Sequence, residues 1–169
     1  AFAVSHRAHA SVEAITRGVP VCAAGFLMKK EIQAFESAMS NPARPLAAVV
    51  GGAKVSGKLE VLENLIQKVD MILIGGGMMF TFLKAKGLEI GNSLLDKERL
   101  GLVKQLLDRN PDKFELPVDC VISDRFDFKA RTIGKTKTVA VEELEAGWIG
   151  LDIGPESIRR FSGICLEAG

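Results

Sequence analysis

The chain has 169 residues, 47% of them apolar and 25% charged, with 22 basic residues against 21 acidic ones for a net charge of +1. That is enough apolar material for one domain, or one and a part. The near-neutral balance gives nucleic acid or an anionic membrane no global field, so any anion site must be local. No apolar run approaches the roughly 20 residues that span a bilayer, which predicts a soluble protein. Cys22, Cys120 and Cys165 are widely spaced with no Cys-x-x-Cys, a usage that suits buried free thiols in a reducing compartment and makes the cytoplasm the expected location.

The opening Ala1-Phe2-Ala3-Val4-Ser5 has no initiating Met and neither the basic start nor the apolar length of a signal peptide, and reads as a start within a longer protein. In His6-Arg7-Ala8-His9 two imidazoles and a guanidinium would share one turn if the stretch is helical. No further ligand sits nearby at metal spacing, so no zinc site is expected, and Arg7 is better suited to gripping an anion with its planar fork. Taken alone, the stretch reads first as exposed surface.

Met28, Ile32, Phe35 and Met39 form one apolar stripe along Gly25 to Asn41, which predicts a helix ended by Asn41-Pro42-Ala43-Arg44-Pro45. A domain boundary is expected at those prolines. The pattern then alternates: strand Leu46 to Val50, helix Ser56 to Val69, strand Met71 to Ile74, helix Met78 to about Lys86, helix Lys97 to Arg109, strand Leu116 to Ile122. Alternation of this kind predicts an α/β fold with a doubly wound parallel, Rossmann-like sheet. The tail holds a basic stretch from Ser123 to Lys137 read as a solvated loop, a strand near Thr138 to Val141, and a helix from Pro155 to Cys165 opened by proline and Glu156. A helix with no following strand suggests that the sheet continues beyond Gly169. Trp148 is read as core.

Two glycine clusters carry the functional signal, Gly51-Gly52-Ala53-Lys54 after the first strand and Gly75-Gly76-Gly77 after the second. Glycine there lets backbone approach a phosphate, and a following helix aims unpaired N–H groups and its positive dipole end at the anion. Parallel strands open their carboxyl ends on one edge, so both clusters should face one ligand. The bland reading is that glycine only permits tight turns and close packing. Lys54 and Lys58 at a helix start oppose the dipole unless an anion compensates, which favours phosphate. Gly52 to Lys58 has the spacing G-x-x-x-x-G-K, but Leu59 stands where a P-loop needs Ser or Thr, and neither loop carries G-x-G-x-x-G.

The residues resemble phosphoglycerate kinase over nearly the whole chain. The motifs run in order through Ser5 to His9, Gly25 to Glu31, Arg44-Pro45, Val50 to Val55, Ile74 to Met78 with Phe80 to Lys84, Leu116 to Asp119, and Gly147 to Ser157. The resemblance implies a two-domain, hinge-bending enzyme. Residues 1–24 would end an amino-terminal substrate domain, 25–41 form the interdomain helix, and 42–169 form a nucleotide-binding domain incomplete at its C-terminus. It further implies Arg7 on the acidic substrate with His6 and His9 in the same basic patch, Lys54 at the transferring phosphoryl group, and Lys58 on the nucleotide phosphates. Gly52, Gly76, Gly77, Gly150 and Leu151 would line the nucleoside pocket.

The implied reaction is reversible phosphoryl transfer between 1,3-bisphosphoglycerate and MgADP, giving 3-phosphoglycerate and MgATP. A carboxylate attacks or leaves, so no general base is needed and catalysis rests on positioning and on positive charge from Lys54 and Arg7. Ala3 and Met79 depart from the family's usual residues without touching a proposed contact. The family's other substrate-binding arginines and its later glycine-rich loop near the magnesium fall outside these residues, so no metal ligand is expected here and the chain alone is expected to be inactive. A monomer is expected, without nucleic-acid or membrane partners. Two alternatives stand beside this reading, a divergent P-loop-like nucleotide hydrolase and a non-catalytic nucleotide-binding module.

Overall fold

The computed structural model describes residues 7–168. It separates into two compact units, Ala1–Ala43 and Arg44–Gly169. In the first, a 3-10 turn Ala14–Arg17 precedes helix α1, Phe26–Ser40. The stripe expected on α1 is present in part: Met28, Ile32 and Met39 are half-buried, whereas Phe35 is exposed. The residues from Arg7 to His9 are not helical, and the His9 amide donates to the Arg7 carbonyl at 2.8 Å across a bend.

The second unit starts on strand β1, Ala47–Gly51, then helix α2, Leu59–Ile66, strand β2, Met71–Gly75, helix α3, Met79–Ala85, helix α4, Leu100–Arg109, and the short strand β3, Phe114–Glu115. The order β1-β2-β3 is parallel throughout, with Ala47 opposite Met71 and Gly51 opposite Gly75. β2 is the central strand, and Ile72, Leu73 and Ile74 are fully buried. A strand covered on both faces reads as a continuous apolar run rather than an alternating one, which is why Met71 to Ile74 was recognisable. Leu62 and Ile66 of α2, Phe80 and Phe82 of α3 and Val103 and Leu106 of α4 share the core with it. Each such side chain contributes about 1.5 to 3 kcal/mol by leaving water.

Asp70, just before β2, accepts hydrogen bonds from Arg44 Nη1 at 2.8 Å and from the Leu46 amide at 2.7 Å, tying the entry of β1 to that of β2. Those bonds, that from Arg44 first, hold its carboxyl below the usual aspartate range.

Beyond β3 the alternation gives way to antiparallel pairing. Strand β4, Asp119–Ser123, lies between β7, Thr136–Ala140, and β8, Ile149–Ile153, antiparallel to both. The stretch read as a solvated loop carries a small exposed hairpin, β5, Phe126–Asp127, against β6, Thr132–Ile133. The fold is therefore α/β with a Rossmann-like parallel sheet, accompanied by an antiparallel one. β8 leads through Gly154 into helix α5, Pro155–Glu167.

The start of α5 is held by Asp119 of β4. Its carboxylate accepts the Ser157 hydroxyl at 2.6 Å, the Ser157 amide at 2.7 Å and the Glu156 amide at 3.0 Å. Two of the amides that a helix start leaves without partners are thereby satisfied. Burial works to raise the Asp119 pKa, but these hydrogen bonds, with Arg159 nearby, outweigh it and bring the carboxyl below its ordinary value. The neighbouring Cys120 is buried without such partners, and desolvation pushes its thiol up to about 11. Cys22 and Cys165 are exposed rather than buried as their spacing suggested.

Candidate functional site

Because Gly51 pairs with Gly75 in parallel register, the loops after β1 and β2 leave the sheet side by side. Gly52 has φ +148° and Gly76 φ +63°, both in the region that favours glycine. The approach between them is close. A Cβ on Gly76 would lie 2.9 Å from the Gly52 nitrogen, and the Met78 amide donates to the Gly52 carbonyl at 2.7 Å. The two clusters thus form one continuous backbone surface at the carboxyl edge of the sheet, as the parallel-strand reading required.

The helix after the first cluster begins later than its sequence pattern predicts, at Leu59 rather than Ser56. Residues 55 to 58 form a turn closed by Lys58 N to Val55 O at 2.8 Å, and the Ser56 amide is taken by Asp96 Oδ2 at 3.0 Å. Lys54 therefore sits in the exposed turn before the helix and Lys58 at its cap, so they do not share a first helical turn. The Lys58 side chain folds back over the glycine edge: a Cβ on Gly52 would lie 3.0 Å from its Cε and 4.0 Å from its Nζ. One cation is thus at the edge, and another follows directly after Ala53.

A cleft of about 940 Å³ opens against this edge. Ala53, Gly76 and Gly77 form one wall, the loop from Asn92 to Leu95 with Lys97 a second, and Ile149 to Asp152 a third, with Phe126 and Phe128 from the hairpin at its rim. Gly76, Gly77, Gly150 and Leu151 are brought together there. Gly52, Lys54 and Lys58 belong to the loop beside it rather than to its lining. Arg7 and His9 are exposed residues of the first unit, and His6 lies outside the described residues. Trp148 stays off the lining, packed half-buried against the core with Lys137 Nζ 4.4 Å from its ring centroid.

The cleft has the volume of a small-molecule site and a mainly apolar wall with a few polar groups. It offers flat backbone at the glycine edge, cations beside that edge, and Leu94, Ile149, Leu151 and Phe126 as apolar surface. That combination can receive a molecule that is anionic at one end and planar and apolar at the other. Leu94, Lys97, Phe126 and Phe128 were not singled out as site residues from sequence. Phe126 and Phe128 were visible only as aromatics in a basic stretch, and a segment that turns back over a distant strand leaves no local signature.

A parallel sheet with two abutting glycine loops at its carboxyl edge, opening on a cleft of this size, defines a Rossmann-like α/β domain. Residues 1–169 match the family model described as phosphoglycerate kinase, and the chain belongs to that family. It is 57% identical over 171 residues to the phosphoglycerate kinase of Geotalea daltonii, an alignment covering 99% of this chain and 42% of that relative. It is 48% identical over 170 residues to that of a Synechococcus species, covering 99% and 41%. Among solved structures, the phosphoglycerate kinase of Coxiella burnetii superposes with a TM-score of 0.79 at 35% identity, over 86% of this chain and 37% of that one. That of Pyrococcus horikoshii gives 0.78 at 27% identity, over 99% and 42%. The chain spans about two fifths of the length of the curated relatives it matches.

Among the described residues, no helix is long and apolar enough to cross a membrane. No three His, Cys, Asp or Glu side chains among them converge on a position that could hold a metal ion.

Proposed function

We propose that this chain is the nucleotide-handling part of a glycolytic phosphotransferase that moves a phosphoryl group reversibly between 1,3-bisphosphoglycerate and ADP, giving 3-phosphoglycerate and ATP. What carries the reading is a family match along all 169 residues that coincides with a glycine-edged cleft of nucleotide size. In this assignment Gly52, Gly76, Gly77, Gly150 and Leu151 line the nucleoside pocket, and the phosphates leave it along the glycine edge toward the two lysines. Lys58 holds the nucleotide phosphates, and Lys54 neutralises charge on the phosphoryl group in flight. No proton need be removed from an attacking carboxylate, so positioning and electrostatics supply the catalysis.

His6, Arg7 and His9 are assigned to the acidic substrate, residues 25–41 to the segment joining the two domains, and residues 42–169 to the nucleotide domain. Magnesium would be carried by the nucleotide's phosphates, where it would neutralise part of their charge. The described residues do not form a cage for it. The protein is read as a cytoplasmic monomer, and this chain by itself as inactive.

Steady-state turnover of the full-length protein with MgADP and 1,3-bisphosphoglycerate tests the assignment. Lys54→Ala should lower kcat by about 10²- to 10³-fold, the loss seen when one preorganised donor to developing charge is removed. A rate within a few-fold of wild type would exclude the role. ATP hydrolysis without phosphoglycerate would point instead to a nucleotide hydrolase, and absence of any turnover to a non-catalytic module.

A further inference from the structure

Three successive residues of the loop after α3 hold the approach to β8. A Cβ on Gly91, where φ is +52°, would lie 2.5 Å from the carbonyl oxygens of both Glu145 and Trp148, so only glycine lets the two segments come this close. The Asn92 amide donates to the Trp148 carbonyl at 2.8 Å, and its side-chain nitrogen to the Gly147 carbonyl at 3.4 Å. Ser93 is buried, and its Oγ accepts the Gly150 amide at 2.8 Å.

The strand being held is irregular at that point. Opposite β4, Val121 pairs with Asp152 but the next residue, Ile122, pairs with Gly150, so Leu151 is an extra residue in β8. An inserted residue of this kind bends a strand and re-aims a side chain, often beside an active site. Here the re-aimed residue lines the cleft. Gly150 is fixed on two sides, its amide by Ser93 and its Cα by the buried ring of Phe80, whose Cζ would lie 2.0 Å from a Cβ at that position.

We infer that Ser93 is a positioning residue for the nucleotide: its hydroxyl fixes the Gly150 amide and, through it, the bulge that presents Leu151 to the cleft. This rests on the phosphotransferase reading above and adds to it a residue that acts through another rather than by chemistry. A contact made equally in ground state and transition state changes KM and leaves kcat alone. Among the kinetic constants, losing Ser93 should therefore be felt in the nucleotide's KM alone.

The experiment is a double-mutant cycle in the full-length protein, with MgADP varied at saturating 1,3-bisphosphoglycerate and then the reverse. Ser93→Ala should raise KM for MgADP about 5- to 10-fold, the scale of one lost hydrogen bond. It should leave kcat and KM for 1,3-bisphosphoglycerate within twofold, and Ser93→Thr should restore the wild-type value. In a Leu151→Ala background, Ser93→Ala should add less than twofold, because the two act as one unit. If Ser93→Ala does not fold, Ser93→Cys, close in volume but a weak acceptor, is expected to shift KM in the same direction. An unchanged KM for MgADP in a folded variant, or an effect that multiplies fully with that of Leu151→Ala, overturns the inference alone. A wild-type protein that does not turn over MgADP overturns it together with the phosphotransferase reading.

Discussion

The glycines at the two ends of the cleft are required for different reasons. At the sheet edge, Gly52 and Gly76 are needed for backbone conformation and for backbone-to-backbone approach. Around β8, Gly150 and Gly154 have ordinary φ angles and are needed for packing, the first against the Phe80 ring and the second against the Asp119 carboxylate. A glycine that lines a cleft is therefore no sign in itself of ligand contact. At Gly150 the neighbour that forbids a side chain is the protein's own core, whereas at Gly76 it is the backbone of the adjacent glycine loop.

The contrast can be broken by adding one methyl group at each place. Gly150→Ala should cost about 3 kcal/mol, because its Cβ would meet the fully buried ring of Phe80 and overpacking a rigid core is expensive. Phe80→Leu in the same protein should recover part of that loss in a denaturant titration. Full additivity of the two changes would show that the ring is not the obstacle.

Asp119 comes next. Asp119→Asn exchanges a carboxylate that accepts three hydrogen bonds for an amide with one accepting oxygen, and should cost about 2 kcal/mol. The same carboxyl sets a pH dependence. Its folded-state pKa is lowered, so its stabilisation is complete above the unfolded aspartate value and is lost as pH falls through the lowered folded value. Acid titrations of wild type and Asp119→Asn should therefore converge at low pH. Parallel curves would remove Asp119 from the account.

The smallest effect is expected at the sheet edge. Gly76→Ala adds about 1 to 2 kcal/mol of left-handed backbone strain, and a loop displaced from its 2.9 Å approach to Gly52 should weaken nucleotide binding as well. Loss of stability with unchanged binding would mean that the edge serves packing, as at Gly150.

The edge was legible in sequence for a physical reason. Leu46 to Val50 and Met71 to Ile74 are uninterrupted apolar runs, each closed by glycines, so the strands follow from local pattern and their parallel direction from the helix between them. On the opposite wall Gly150 and Leu151 were named only through the family resemblance, and the strand that carries them was not legible from local pattern. In Gly150-Leu151-Asp152-Ile153-Gly154 glycines and a charge obscure the strand, and its partner β4 lies some 30 residues away and runs antiparallel. Asp119 serves a helix 38 residues further on, and Ser93 accepts an amide 57 residues further on. Nothing in the composition of Gly91-Asn92-Ser93 tells what the segment holds. Lys54 and Lys58 stood out by their spacing at a helix start, yet the helix begins only at Leu59. The Ser56 amide in the turn before it is bonded to Asp96, 40 residues away, a partner that local pattern does not announce.

The central claim is that the glycine edge receives the phosphates of a nucleotide. Calorimetric titration of MgADP into the full-length protein, wild type against Lys54→Ala, tests it most directly. Saturable binding to the wild type that weakens measurably in the folded variant is the result predicted here. Equal affinity in the two proteins, or no binding to a folded wild type, would contradict it.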